Sequence, residues 1–329
     1  MVSIKDVAKQ AGVAISTVSK VLNGYPNISD ETKKKVNIAI AELNFVPNTI
    51  AAALSSKQSG RVAILINLIT QTQAIDEIDM QYLSGAMNQA RKNNLDVITI
   101  FFTMIKDKTV DEIIRYLKSQ NIAGIIIYGL SKDDEVLQKL IETEKFKIVV
   151  VDSPMVNKST SSVWIDQGKA QYDVAKKTII ENKCKKVLYI SGKKNGYVTA
   201  ERIKGMEKLV KELTLTMTVK HGEFSELTAR NLTFKYAKKH DVVVCASDLM
   251  AIGAMNALTQ MDIFKPVCGF DGITLMGYVG KQMNTVKQNF AKISEEAMIE
   301  LNSLMNGSNG KNIILDYELV RLGYLDIIC

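Results

Sequence analysis

Residues Ile4 to Asn23 read IKDVAKQAGVAISTVSKVLN, and the spacing inside this stretch decides the reading of the chain. Val7, Ala8 and Ala11 recur at helical spacing and face a small core, with Ser3 placed to cap the helix and Asp6 in its first turn. Gly12 stands where the chain must turn sharply, a place that favours positive φ. Ile15 to Leu22 forms a second helix whose inward stripe is Val18, Val21 and Leu22. Ser16, Thr17 and Lys20 lie on its other side, available to a partner. Two helices across a Gly-containing turn predict a helix-turn-helix, in which the N-terminal part of the second helix meets base edges in the major groove. Asn23-Gly24 ends that helix, and Ser29 caps a third, Asp30 to Leu43, with Asp30 and Glu31 in its first turn and Val36, Ile40 and Leu43 on its apolar face. On pattern alone, an ordinary helical bundle fits this trio equally well.

Working outward, the 329 residues are too many for one compact core and imply two or three domains. The 47% hydrophobic and 23% charged content is that of a globular chain rather than a disordered one. A net charge of +7 permits an anionic partner without proving one. Cys184, Cys245, Cys268 and Cys329 are far apart with no C-x-x-C pair, so neither a metal site nor a disulfide framework is expected. There is no basic-then-apolar signal segment and no apolar run of about 18 residues, so the protein is expected to be cytoplasmic with no membrane partner. The two His, His221 and His240, have no nucleophile or metal-spaced partner nearby in sequence and read as solvated surface residues. With no Gly-rich phosphate loop either, no catalytic residue, metal ligand or cofactor is expected, and an enzyme is the weakest functional class.

The next segment narrows the reading of the first. Asn44-Phe-Val-Pro-Asn48 leads into Thr49-Ile-Ala-Ala-Ala-Leu54 and on to Gly60. Residues 4–60 as a whole resemble the LacI/GalR family of bacterial repressors. The resemblance rests on D-V-A-x-x-A-G-V-x-x-x-T-V-S-K-V-L-N, S-x-E-T-x-x-K-V and A-E-L-N-F-V-P-N-x-I-A-x-x-L, in this order and spacing. It implies that Ile15, Ser16 and Lys20 read bases, and that Thr17, Ser19, Asn23, Ser29, Thr32 and Asn48 touch phosphates. Lys5 joins these as a candidate DNA contact. The resemblance further implies a hinge helix over 48–55 that orders on operator DNA, with Leu54 as the leucine that wedges into the minor groove; such a wedge trades unstacking for a kink. Residues 1–60 depart from the family in holding seven Lys and no Arg, so Lys20 meets guanine without a guanidinium fork. Thr49 also stands where many members carry Arg.

From Arg61 the texture changes to alternating strands and helices. Strand-like apolar runs occur at Val62–Leu68, Val97–Phe102, Ile122–Tyr128, Lys147–Val151, Lys186–Ile190, Asp241–Cys245 and Pro266–Phe270. Amphipathic helices lie between them, as at Gly168–Asn182 and Ala200–Glu212, a rhythm that predicts parallel sheets covered on both faces. This part is similar to the same family's effector domain, through E-R-I-K-G (201–205), V-V-V-C-A-S-D-L-M-A-I-G-A (242–254), G-F-D-G (269–272), N-T-V-K-Q (284–288) and E-L-V-R (318–321). The resemblance implies two subdomains joined by three crossovers, near residues 160, 287 and 316, with a small ligand between them.

The expected fold class is therefore α/β: an N-terminal all-α helix-turn-helix head plus a periplasmic-binding-protein-like effector domain of two α/β subdomains. The expected boundaries are a DNA-binding domain at 1–47, a hinge helix and linker at 48–60, and an effector-binding and dimerisation domain at 61–329. The last divides into an N-subdomain (about 61–160 and 288–315) and a C-subdomain (about 161–287 and 316–329). A ligand between sheets meets the carboxyl ends of strands. Asp152, Ser247 and Asp271 follow predicted strands, Arg202 opens a predicted helix, and all four match the family's effector contacts. Carboxylates accept from hydroxyls and Arg donates, which suits a sugar or sugar phosphate, with a nucleobase as the alternative. Ser247 stands where the family often has Asn, and residues 69–79 lack its Asn-Pro-Phe-Phe-like segment. Trp164, the one Trp, reads as a packed strand residue rather than a sugar platform. The expected partners are double-stranded operator DNA, a small effector and a second copy of the chain. No heptad tail follows the last strand, which points to a homodimer rather than a tetramer. A purine-responsive regulator, one answering to a protein co-effector, and a solute-binding protein without DNA function are the alternatives.

Overall fold

The computed structural model describes residues 2–22, 25–45, 60–66 and 77–328. Asn23, Asn48, Leu54, the hinge segment and residues 69–76 lie outside the described residues. The chain forms two units, residues 1–59 and 60–329.

The first unit holds α1 (Ile4–Ala11), α2 (Ile15–Leu22) and α3 (Asp30–Glu42). Ser3 and Asp6 close a capping box: the Ser3 N–H and hydroxyl both donate to Asp6 Oδ2, at 2.8 and 2.7 Å. Gly12 ends α1 at φ 65°, and its turn lets the Val13 N–H reach back to the Ala8 carbonyl at 3.0 Å. A side chain there would be strained, which is why Gly serves at this corner. The core is small: Val7, Ala8, Val18, Val36, Ala39 and Phe45 are buried, with Val21, Leu22, Ile40 and Leu43 packed around them.

The second unit contains two sheets, each of six strands among the described residues. In chain order the elements are β1 (Arg61–Ile66), α4 (Glu77–Lys92), β2 (Asp96–Phe101), α5 (Val110–Ser119), β3 (Ile122–Ile127), α6 (Glu135–Glu142), β4 (Lys147–Val151) and β5 (Thr160–Ile165). There follow α7 (Gln167–Glu181), β6 (Lys186–Ser191), α8 (Tyr197–Leu213), β7 (Thr216–His221), α9 (Glu226–Tyr236), β8 (Val242–Cys245), α10 (Asp248–Gln260) and β9 (Val267–Cys268). The last are β10 (Asn284–Lys287), α11 (Phe290–Met305), β11 (Asn312–Leu315), β12 (Glu318–Arg321) and α12 (Leu325–Ile328). The first sheet runs β11-β5-β4-β3-β1-β2, all parallel. The second runs β12-β10-β9-β8-β6-β7, parallel except where β12 runs against β10. Near-continuous β-branched runs such as RVAILI and VVVC build the central strands, because helices cover both faces and leave no side for polar alternation.

The chain passes between the two sheets after β5, after β10 and after β11. The first passage lies at residue 166 rather than near 160, because Thr160–Val163 pair with Ile148–Val151 in the first sheet. TSSVWI has too many hydroxyls to stand out as a strand, yet it is buried at nearly every position. Trp164 sits on that strand and donates its indole N–H to Asn312 Oδ1 at 2.8 Å. His240 differs from its solvated reading: it is buried, with Nδ1 2.8 Å from the Tyr236 carbonyl and Nε2 2.9 Å from Thr218 Oγ1. His221 is exposed and meets Ser191 Oγ at 2.8 Å. Cys184, Cys245 and Cys268 are free and buried.

Candidate effector cleft and DNA-contact face

Helices α7 and α8 set the floor of the cleft. They cross at Gly168 and Gly205, where a Cβ on Gly205 would lie 2.0 Å from the Gly168 carbonyl oxygen. This close approach holds Arg202, one turn earlier on α8, against the loops that follow β8 and β9. Its Nε donates to Gln167 Oε1 at 2.9 Å and its Nη1 to the Ala246 carbonyl. The guanidinium lies 3.5 Å from the centre of the Phe270 ring, and Nη2 is 3.9 Å from Asp271 Oδ1. Part of the donor fork is therefore committed to protein.

Asp152 directly follows β4 at φ 61°, an uncommon conformation for a residue with a side chain. Its Oδ1 accepts from Gln167 Nε2 at 2.9 Å and its Oδ2 from Tyr82 Oη at 3.1 Å. Asp271 follows β9, and its Oδ1 accepts from Gln288 Nε2 at 3.1 Å. Burial pushes both carboxyls up, with Arg202 opposing; at Asp271 the nearby Asp248 and Asp152 add to the upward shift. Ser247 caps α10, its Oγ accepting from the Met250 N–H at 3.3 Å, and it also forms part of the cleft wall. Asp248 beside it faces away into the protein: Thr285 Oγ1 at 2.7 Å and the N–H groups of Gly272 and Ile273 at 2.7 and 2.9 Å donate to its carboxylate. Burial nevertheless pushes its pKa up to about 6.

Asp152, Arg202, Ser247 and Asp271 thus surround one cavity of about 450 Å³, at the carboxyl ends of strands from both sheets. Sequence reasoning missed the rest of its lining. Tyr82 and Tyr128 stack with ring centres 4.6 Å apart, and Phe290 meets Tyr82 edge-on at 5.3 Å. Gln288 ties into Asp271, and Gln167, which is not itself in the lining, ties Arg202 to Asp152. Only Gln288 had a signal, as the last residue of N-T-V-K-Q; Tyr128 follows β3, and Tyr82, Gln167 and Phe290 come from helices whose partners are distant in sequence. The halves are bonded at both rims. The Lys132 N–H donates to the Asn195 carbonyl at 3.0 Å, and Asn195 Nδ2 donates to the two Asp133 oxygens at 2.9 and 3.1 Å. On the other rim Glu77 accepts from the Thr274 N–H at 2.9 Å and its hydroxyl at 2.8 Å. Trp164 is not among the lining residues.

In the first unit, Lys5, Ser16 and Lys20 are exposed, and Ile15 keeps 45% of its surface despite being apolar. Thr17 and Ser19 are half-buried at the side of α2. Ser29 Oγ and Thr32 Oγ1 meet at 2.9 Å at the N-terminus of α3, where backbone N–H groups favour an anion.

A three-helix head with such a face, followed by two α/β halves around a cavity lined by aromatic and charged side chains, defines a class: a DNA-reading head carried with a small-ligand binder. Residues 3–48 match the model for bacterial regulatory proteins of the lacI family, and residues 80–273 that for periplasmic binding proteins and sugar binding domain of LacI family. The HTH-type transcriptional regulator RegA of Clostridium saccharobutylicum is 31% identical over 97% of this chain and 98% of its own length. The HTH-type transcriptional regulator MalR of Clostridium butyricum is 28% identical over the same shares. The solved lac repressor dimer bound to operator and the anti-inducer ONPF shares the fold at TM-score 0.82 and 22% identity, covering 98% of this chain and 99% of that one. The chain belongs to the LacI family of DNA-binding transcriptional regulators with a ligand-binding domain.

Proposed function

We propose that the chain is a homodimeric regulator that binds a two-fold symmetric operator, with operator affinity switched by a small polar effector held in the cleft. One observation carries the reading: Asp152, Arg202, Ser247 and Asp271, from four separate segments of the chain, line one cavity between halves joined by three crossovers. A ligand touching both halves favours one arrangement of them over the other, and that differential affinity is what coupling to DNA requires. In the head, Lys5, Ile15, Ser16, Thr17, Ser19, Lys20, Ser29 and Thr32 serve as DNA contacts, with Asn23, Asn48 and Leu54 assigned by sequence alone. Two-fold operators call for two copies. The outer stripe of α4 supports a self-association face: Met80 and Met87, seven residues apart, are 64% and 45% exposed. Beside it β2 is the outermost strand of its sheet and ends at exposed Phe101.

The test is operator binding of wild type and Arg202→Ala, followed by fluorescence anisotropy with and without a stabilising ligand found by thermal shift. Arg202→Ala should keep ligand-free DNA affinity within about twofold and lose the ligand response, since truncating a buried charge-assisted donor costs about 1.5–3 kcal/mol, or more than tenfold in ligand affinity. An unchanged response would remove the cleft from the mechanism.

A further inference from the structure

We propose that the cleft takes an uncharged, multiply hydroxylated ligand such as a free sugar, and that Asp133 and Asp134 turn away its phosphorylated counterpart. This rests on the cleft being the effector site.

Charge is the first argument. The described lining carries five carboxylates, Asp79, Asp133, Asp134, Asp152 and Asp271. It carries two cations, Lys193 and Arg202. Residues 67–76, outside the described part, contain no Lys or Arg to redress the balance. At the floor, Arg202 faces Asp152 and Asp271 together, and it is already bonded to Gln167 and Ala246. A phosphate dianion there would have to be desolvated with only a guanidinium whose donors are already partly engaged to compensate it.

The second argument concerns a place in the described lining where an anion would be favoured. Helix α8 is 17 residues long, and its N-cap, Gly196, offers no side chain to its first N–H groups. Lys193 lies just before it, and Thr199 Oγ1, fully buried in its first turn, has no partner. Such an end attracts phosphate. Here the opposite half brings up Asp133 and Asp134, the latter accepting from the Ser131 N–H and hydroxyl at 2.7 and 2.8 Å, with Lys132 over the Tyr197 ring at 5.8 Å. Asp133 is held there by Asn195, and Asp134 stands near enough to Tyr197 to help burial push that phenol's pKa up.

Hydrogen-bonding capacity is the third. Gln288 Oε1 is buried without a partner, an acceptor wanting a donor. Arg202 Nη2 has only the 3.9 Å approach to Asp271, a donor wanting an acceptor. A hydroxyl serves both, which calls for a hydroxylated ligand over an amine or inorganic anion, and leaves the rejection of a phosphorylated sugar to the charges. The Tyr82, Tyr128 and Phe290 rings suit the C–H faces of a sugar.

The experiment uses the full chain and thermal shift, followed by calorimetric titration. The probes are matched pairs: glucose and glucose 6-phosphate, fructose and fructose 1-phosphate, cellobiose and its 6-phosphate, maltose and its 6′-phosphate, with hypoxanthine and inorganic phosphate alongside. At least one free sugar should bind at least tenfold tighter than its phosphorylated partner. In the Asp133→Asn/Asp134→Asn variant, the ratio of phosphorylated to free affinity should rise at least fivefold. Tighter binding of a phosphorylated member, binding by hypoxanthine alone, no binding by any free sugar, or an unchanged ratio in the double variant would each overturn the proposal. Arg202→Ala separates the two levels. Tight phosphorylated-sugar binding that this variant abolishes leaves the cleft standing and removes the charge argument. Free-sugar binding that survives it unchanged removes the cleft itself.

Discussion

Asp248 shows how much a single buried carboxyl shapes this molecule. It is fully buried and accepts hydrogen bonds from Thr285, Gly272 and Ile273, yet the desolvation of its charge outweighs them and holds its pKa near about 6. A carboxyl whose pKa is higher in the folded than in the unfolded chain stabilises most when protonated. Its contribution is full below the ordinary value of 3.8 and is lost as pH rises through about 6. Asp248→Asn cannot ionise, so the stability of the variant relative to wild type should rise between pH 4 and pH 7. Thermal denaturation across that window checks it; a constant gap would refute the assignment. At this scale the sequence was partly readable. Asp152 and Asp271 could be picked out because each directly follows an apolar run, and strand ends are where sheets present polar groups. Tyr82 and Gln167 could not, because nothing local marks a helix residue as the partner of a carboxylate 15 to 70 positions away.

Among the elements, the head was the most readable part, because its caps and turn are local devices. Ser3 with Asp6, Gly12 at φ 65° and Ser29 before Asp30 each act within four residues. The strands of the second unit were readable where they are continuous β-branched runs. They were not where burial falls on hydroxyls, as in TSSVWI, or where Thr and Lys alternate, as in TMTVKH of β7. Those segments are strands because neighbours pair with them, which is tertiary information. The contact of α7 with α8 gives a sharp test at this scale. Gly205→Ala improves helix propensity by about 1 kcal/mol. Against that, its Cβ would overlap the Gly168 carbonyl at 2.0 Å, a backbone atom that cannot swing aside, and overpacking of this kind costs about 1–3 kcal/mol. Overlap should win, giving a net loss in urea denaturation and a weaker ligand response through displaced Arg202. A variant as stable as wild type would show that the two helices can part at no cost.

For the whole molecule, the net charge of +7 and the head's Lys-only cation set make DNA affinity an ionic-strength measurement. If the operator complex neutralises six to ten phosphates, raising salt from 50 to 200 mM should weaken it by roughly 10³- to 10⁵-fold through counterion release. Operator titrations over that range check this, and a flat profile would remove the proposed phosphate contacts. Two copies on one operator double the slope expected of a single head, so the same titration bears on the dimer.

The three crossovers carry a further consequence, for the order in which the protein is made. Neither half of the second unit is contiguous in the chain. The first sheet receives β5 by residue 165, but its covering helix α11 and its edge strand β11 arrive only with residues 290–315. At about 5–20 residues per second, a ribosome needs roughly 8–30 s to cover that gap. Until then the surface that Ala297, Leu301 and Leu304 will bury stays open, including Gly124 of β3, which nests against Leu301 and Met305. Nascent chains stalled with residue 289 just outside the exit tunnel should be cut rapidly by protease in β3 and β4. Chains stalled with residue 316 outside it should resist. The topology that places the cleft between the halves thus also makes the first half wait for the end of the chain during synthesis.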